Sequence, residues 1–122
     1  MMPQAIAQQK INSLPPVTAP CPMLQFVGLV AGKWAIPILY RLIVLDGPVR
    51  FGELQRGVYP ITQKELTRQL RAFENKGLVR RTVFAEIPPR VEYQVTALGK
   101  TLEAPLRALA QWVTAHQDDL GA

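Results

Sequence analysis

The side chains that could do chemistry in this 122-residue chain are mostly basic, and they are concentrated in one window. Residues 50–90 contain nine Lys or Arg and four Asp or Glu, whereas the rest of the chain contains five of each. The whole formal net charge of +5 therefore lies in this window. A concentrated positive surplus favours a polyanionic partner such as DNA, and a solvated basic surface is the alternative.

Two other reactive side chains are Cys21 and His116, the only cysteine and the only histidine of the chain. They cannot supply an intrachain disulfide, a structural zinc site or a nucleophile with an oriented base. We therefore expect no enzyme activity, no metal and no cofactor. Cys21 precedes an apolar helical segment, whose positive dipole end favours the thiolate and makes Cys21 a candidate sensor. A small packing residue is the alternative.

Residues 62–76 predict a helix that keeps a polar face free. Residues 62–65 form a capping box, in which Thr62 caps one amide and Glu65 bonds back to another, and Gly77 ends the helix. One side of the helix is apolar, with Leu66, Leu70 and Phe73. The opposite side carries Lys64, Thr67, Arg68, Arg71 and Asn75. This side therefore consists of hydrogen-bond donors.

The segments around this helix predict a winged helix-turn-helix. A short helix over 51–58 and a turn at Tyr59-Pro60 precede it, and two strands over 79–86 and 91–96 follow. The fold class is mainly α with a small antiparallel β-hairpin. In such a fold the second helix enters the major groove of DNA and the hairpin forms a wing.

This arrangement predicts which residues contact DNA. Base edges are assigned to Gln63, Thr67 and Arg68, and phosphates to Thr62, Lys64 and Arg71. The stiff Pro88-Pro89 tip would present Arg90 to a minor groove. Arg50 either holds a phosphate or is solvated. Arg80 and Arg81 lie on opposite faces of one strand, and the sequence does not decide which of them pairs with an acid such as Glu92.

The remaining segments predict an arm and three further helices. Residues 1–21 form a Pro-rich extended arm, and residues 22–122 form the DNA-binding and dimerisation domain. Helices are expected over 23–31, which is apolar nearly all round and thus buried, over 33–45 in the core, and over 97–117. The apolar face of 97–117 is too wide for so thin a domain, which indicates a partner chain.

Targeting signals are absent from the sequence pattern. The first twenty residues have no apolar core of a signal peptide, so a cytoplasmic location is expected. Residues 26–45 are about as long as a bilayer is thick, but Lys33 and Arg41 within them argue against a membrane span.

The chain resembles the HxlR-type winged helix-turn-helix transcriptional regulators of bacteria, which are relatives of the MarR group. The matching motifs run in order over about residues 21–112: Cys21-Pro22, Gly32-Lys33-Trp34, Arg50-Phe51-Gly52-Glu53-Leu54, Ile61-Thr62-Gln63-Lys64-Glu65-Leu66-Thr67, Leu70-Arg71, Gly77-Leu78-Val79, Pro88-Pro89-Arg90-Val91-Glu92-Tyr93 and Thr96-Ala97-Leu98-Gly99. The resemblance implies a homodimer on a pseudo-palindromic double-stranded operator.

The resemblance also implies an interface built from the N- and C-terminal helices, and on it we place Leu24, Val27, Leu102, Leu106, Leu109 and Trp112. Several members sense oxidants or electrophiles through the cysteine that corresponds to Cys21. Because this chain has no second cysteine, only a bridge between two protomers, a mixed disulfide or an adduct is open to it. Pro37 departs from the family pattern and puts the first turn of its helix in doubt.

Two alternatives stay open at this point. One is a winged-helix module that binds an acidic protein partner. The other is a regulator controlled by a small-molecule effector in a dimer cavity between the first and last helices.

Overall fold

A computed structural model describes residues 13–14 and 21–121, and it divides the chain after Ala31 into two units. Most of the predicted arm, residues 1–21, lies outside the described residues, and its boundary stays a prediction. In the first unit, helix α1 spans Pro22–Leu29 and has no buried residue. The prediction of a buried helix is therefore wrong for the single chain, because an apolar pattern does not say which chain provides the cover.

The second unit, Gly32–Ala122, contains the remaining elements. In chain order they are α2 (Ala35–Leu45), β1 (Val49–Arg50), α3 (Phe51–Gly57), α4 (Gln63–Asn75), β2 (Val79–Phe84), β3 (Arg90–Val95), α5 (Ala97–Lys100) and α6 (Glu103–Ala115). This order confirms the winged helix-turn-helix. Within the described ranges, no helix has both the length and the apolar character needed to cross a membrane.

The sheet has three antiparallel strands rather than the two of the predicted hairpin. The strand order is β1-β3-β2, and Val49 and Arg50 pair with Tyr93 and Glu92 of β3. A strand of two residues is too short to show an alternating pattern, so it could not be predicted from the sequence. Its consequence is structural, because β1 ties the start of α3 to the wing.

The core lies where α2, α3 and α4 pack on the sheet, and its fully buried side chains include Ile38, Leu39, Leu42, Leu54, Leu66, Leu70 and Phe73. Pro37 does not disturb α2. It is the third residue of the helix, where the backbone has no intrahelical acceptor to bond, and the first such bond runs from the Ile38 amide to the Trp34 carbonyl at 3.1 Å.

The C-terminal segment forms two helices, α5 and α6, and not the single helix predicted over 97–117. The Thr96 hydroxyl caps α5 by accepting from the Gly99 amide, and it donates to the Gly77 carbonyl at 2.6 Å. A Cβ at Gly99 would lie 2.4 Å from the Leu78 carbonyl oxygen, so only glycine fits there. The two sequence motifs that begin at Gly77 and Thr96 therefore pack against each other.

Candidate nucleic-acid interface

The start of α4 is fixed by Thr62, whose hydroxyl accepts a hydrogen bond from the Glu65 amide at 3.1 Å. This is half of the predicted capping box. The other half is not formed, because the Glu65 carboxylate accepts from Arg68 and Gln69 instead. The helix buries its apolar side, and the cap and the burial together set the direction in which its polar side faces.

The outward side of α4 is a continuous polar surface, and it contains five of the predicted DNA contacts. One open depression is lined by Gln63, Lys64, Thr67, Arg68 and Arg71. All of them except Thr67 are exposed. The Thr67 hydroxyl donates to the Gln63 carbonyl at 2.8 Å, so its oxygen is left to accept. The surface thus offers amide, ammonium and guanidinium donors side by side.

Arg68 forms an ion pair within its own helix, which the helical pattern alone did not indicate. Its Nε donates to Glu65 Oε2 at 2.9 Å, and its Nη2 donates to Glu65 Oε1. The Gln69 amide donates to the same carboxylate at 3.0 Å. The hydrogen bonds from Arg68 and then Gln69 lower the pKa of Glu65 to about 2, and the same pairing raises the pKa of Arg68.

Arg81 is a candidate contact that the sequence reasoning did not assign. With Thr67, Arg71, Glu74 and Tyr93 it lines a cleft between α4 and the sheet. Its strand position explains this, because Arg81 lies two residues after the buried Val79 and pairs with Tyr93. Strand alternation from Val79 was the signal that could have placed it.

Arg90 was expected to be presented to a minor groove, but in the structure it contacts residues of the wing itself. Arg90 contacts Glu86 and Glu92 at 3.2 Å each, and its guanidinium lies 4.1 Å from the centre of the Phe84 ring. Glu92 is therefore the partner of Arg90 and of neither Arg80 nor Arg81. The tip itself is apolar, with a fully exposed Ile87 followed by two prolines.

Arg50 lies at the base of the wing. It is the exposed N-cap residue of α3, and it lines a cleft of about 400 Å³ together with the wing loop, residues 86–91. Both a groove phosphate and solvent can occupy such a position. The structure thus brings Arg50 close to Arg90, whereas the α4 contacts form a separate group.

Residues 29–120 match the model of the HxlR-like helix-turn-helix family. The chain belongs to this family. The uncharacterized HTH-type transcriptional regulator YdeP of Bacillus subtilis (strain 168) is 40% identical over 99 residues, which cover 80% of this chain and 75% of YdeP. The resemblance inferred from the motifs is confirmed.

Solved structures agree with the family. The redox regulator HypR in its reduced form has a TM-score of 0.75 at 37% identity, with 83% of this chain and 98% of HypR covered. A Porphyromonas gingivalis W83 protein assigned to the MarR family of regulators has a TM-score of 0.75 at 30% identity, with 83% and 97% covered. The predicted relation to the MarR group is thereby confirmed.

In this HxlR-type chain, Cys21 is a free cysteine at the N-cap of α1, and its carbonyl accepts from the Gln25 amide at 2.9 Å. Of the residues placed on the interface, Leu24 and Val27 of α1 are 48% and 58% exposed. Their place on a dimer interface stays a prediction.

The predicted interface residues of the C-terminal segment differ in how far they are exposed. Leu109 and Trp112 are 55% and 53% exposed, and the unassigned Val113 lies beside them at 44%. Leu102 is half-buried. Leu106 is only 4% exposed and belongs to the core, since it lies on the side of α6 that packs on its own unit. Its assignment to the interface is therefore corrected.

Proposed function

We propose that this chain is a dimeric transcriptional regulator in the cytoplasm that places α4 of each protomer in the major groove of a pseudo-palindromic DNA operator. The observation that carries the proposal is the exposed donor side of α4, with Gln63, Lys64, Arg68 and Arg71 in one depression. Two recognition helices in a dimer contact half-sites about one helical turn apart, roughly 34 to 36 Å.

The proposed contacts follow from the chemistry of each side chain. Gln63, Thr67 and Arg68 contact base edges, and Thr67 accepts from a base amino group because its proton is already donated. Phosphates are held by basic side chains and by the capped helix start, namely Thr62, Lys64, Arg71, Arg81 and Arg50. These phosphate contacts set the register of α4 on the duplex.

The wing is proposed to lie at the minor groove through its apolar tip. Ile87 and the two prolines after it are exposed, and apolar side chains of this kind are used as wedges in minor grooves. Arg90 contributes by bracing the wing on Phe84 and Glu92. We therefore propose that Arg90 acts on the minor groove indirectly, by supporting the wing.

The dimer is proposed to form through α1 and α6. Each of these helices exposes large apolar residues, and exposed apolar side chains grouped in this way are typical of protein interfaces. The proposed contacts are Leu109, Trp112 and Val113 of α6, its N-cap residue Leu102, and Leu24 and Val27 of α1. A C2 dimer gives the two recognition helices the symmetry of a palindromic operator.

Control of DNA binding is proposed to act through Cys21. HypR is a redox regulator, and Cys21 is the only thiol of this chain. When an oxidant accepts two electrons, the two Cys21 thiols of a dimer lose two protons and form one disulfide; a mixed disulfide with a small thiol is the other product. Either product changes the start of α1, and thereby the geometry of the proposed interface.

One titration tests these proposals together. Labelled duplex from the region upstream of the gene is titrated with reduced protein, with diamide-treated protein and with Cys21→Ser, at 50 and 200 mM salt. We expect tight binding that weakens steeply with salt, changes on oxidation and does not change in Cys21→Ser. The serine variant keeps the size of the side chain and removes only the thiol chemistry.

Other outcomes separate the alternatives. Salt-dependent binding that does not change on oxidation would contradict the control of DNA binding through Cys21 and favour a small effector in a dimer cavity. Binding with a flat salt response would contradict the DNA contacts and favour an acidic protein partner.

A further inference from the structure

Gln69 is a buried polar side chain on the apolar side of α4. It is 4% exposed, and in the described part of the chain Tyr93 is the only other buried side chain with a hydrogen-bonding group. A leucine here would extend the apolar side formed by Leu66, Leu70 and Phe73, whereas a buried amide costs free energy unless it is hydrogen-bonded. Its amide donates to Glu65 Oε1 at 3.0 Å. The buried amide thus fixes the position of a carboxylate at the surface.

That carboxylate in turn fixes Arg68. The guanidinium donates through Nε and Nη2, which uses two of its five N–H groups. The other three lie on Nη1 and on the outer side of Nη2, and the Arg68 side chain is 65% exposed. This free edge has the spacing of the O6 and N7 acceptors of guanine. The contact with Glu65 therefore leaves the base-contacting edge available and orients it.

We infer that Glu65 and Gln69 are positioning residues, and that the Arg68 they hold specifies a guanine at one base pair of each half-site. The inference rests on the proposed function. A long side chain that is already fixed loses less conformational entropy on binding than a free one. The carboxylate also compensates the charge of Arg68, so this contact adds discrimination between bases more than general attraction to DNA.

The experiment begins with selection of the preferred duplex from a random pool by the wild-type chain. Each base pair of that duplex is then replaced, and Kd is measured for wild type, Arg68→Lys, Glu65→Gln and Gln69→Leu. Glu103→Gln is the matched control, because it removes the same charge from another surface ion pair, Glu103–Arg107 of α6, and leaves α4 unchanged. Melting of each variant is measured first to verify that it folds.

We expect the wild type to prefer guanine at one position of each half-site by roughly 5- to 150-fold. Arg68→Lys, Glu65→Gln and Gln69→Leu should lower this preference at least about fivefold at that base pair and leave the other positions unchanged. Glu65→Gln should also bind unrelated duplexes as well as wild type or better, because it lacks a negative charge near the phosphates. Glu103→Gln should keep the wild-type preference.

The results that overturn the inference are separate from those that overturn the proposed function. An enriched duplex whose base preferences are the same in Glu65→Gln as in wild type would show that the pair is only a surface ion pair. An equal loss on every duplex in Arg68→Lys would show a phosphate contact. If the wild type enriches no duplex, the proposed function is wrong and the inference fails with it. Should Gln69→Leu not fold, Glu65→Gln at the surface decides the question alone.

Discussion

The arginines of this chain have different environments, and their partners indicate different tasks. Arg68 and Arg90 each form ion pairs with carboxylates, whereas within the described residues no carboxylate forms an ion pair with Arg71 or Arg81. A guanidinium without a counter-charge gains most from a phosphate, because binding releases the counterions of the DNA. A guanidinium held by a carboxylate is better suited to a directional contact. We therefore expect general affinity for DNA to depend on Arg71 and Arg81, and base specificity to depend on Arg68.

The pairing of Glu65 with Arg68 should appear in the pH dependence of stability. The pKa of Glu65 is about 2 in the folded chain, below its ordinary value of 4.5. Its contribution is therefore complete above about pH 4.5 and is lost as the pH falls toward 2. We expect Glu65→Gln to be slightly less stable than wild type at pH 6, and the difference to vanish near pH 2. Urea unfolding of both proteins between pH 2 and 7 measures it, and a difference independent of pH would contradict the ion pair.

Helix α6 has one side that is buried in the core and another that is exposed. Leu106 packs into the core of its own unit, whereas Leu109, Trp112 and Val113 remain exposed. The ring of His116 also stacks on Trp112, with ring centres 4.8 Å apart. The wide apolar face that the sequence shows is therefore the sum of a core side and an exposed side. A single periodic pattern cannot separate them, because core and interface contacts both select apolar residues.

Substitutions on the two sides of α6 should have different effects. Leu106→Ala should lower the free energy of unfolding by about 2 to 5 kcal/mol, because it opens a cavity in the core. Leu109→Lys should leave the fold intact and shift the chain from dimer to monomer, because it places a charge in the proposed apolar interface. Chemical unfolding and sedimentation equilibrium distinguish the two. Unchanged association in Leu109→Lys would contradict the proposed interface.

Over the whole molecule, the basic surplus extends beyond α4. Arg81 of β2 lies in the same cleft as Arg71, and Arg50 lies at the wing base. Lys100, in contrast, is bonded to Asp46 at 2.7 Å, which raises the pKa of Lys100. The surface that can neutralise phosphates is therefore composed of side chains that are distant in sequence and that the fold brings together.

The salt dependence of DNA binding tests this surface. Arg71→Ala and Arg81→Ala should each weaken binding on all duplexes, and each should reduce the slope of log K against log salt by about 1 per half-site. Lys100→Ala is the control, because it removes one positive charge from α5 and should leave the slope unchanged. Titrations at four salt concentrations provide the slopes. A slope for Arg81→Ala equal to that of wild type would contradict the proposed phosphate contact of Arg81.

The sequence by itself determined the type and order of the central elements, because the capping residue Thr62, the apolar side of α4 and the glycine after it are local signals. It also determined the donor side of α4, since helical periodicity alone separates Lys64 and Arg71 from the core. Only the tertiary structure decided the pairing of Glu65 with Arg68 and Gln69 and the ion pairs of Arg90 within the wing. It also decided that Arg81 lines the cleft beside α4, and which side of α6 is buried. Each of these depends on which neighbour a side chain meets across space, and a one-dimensional pattern of polar and apolar residues does not contain that choice.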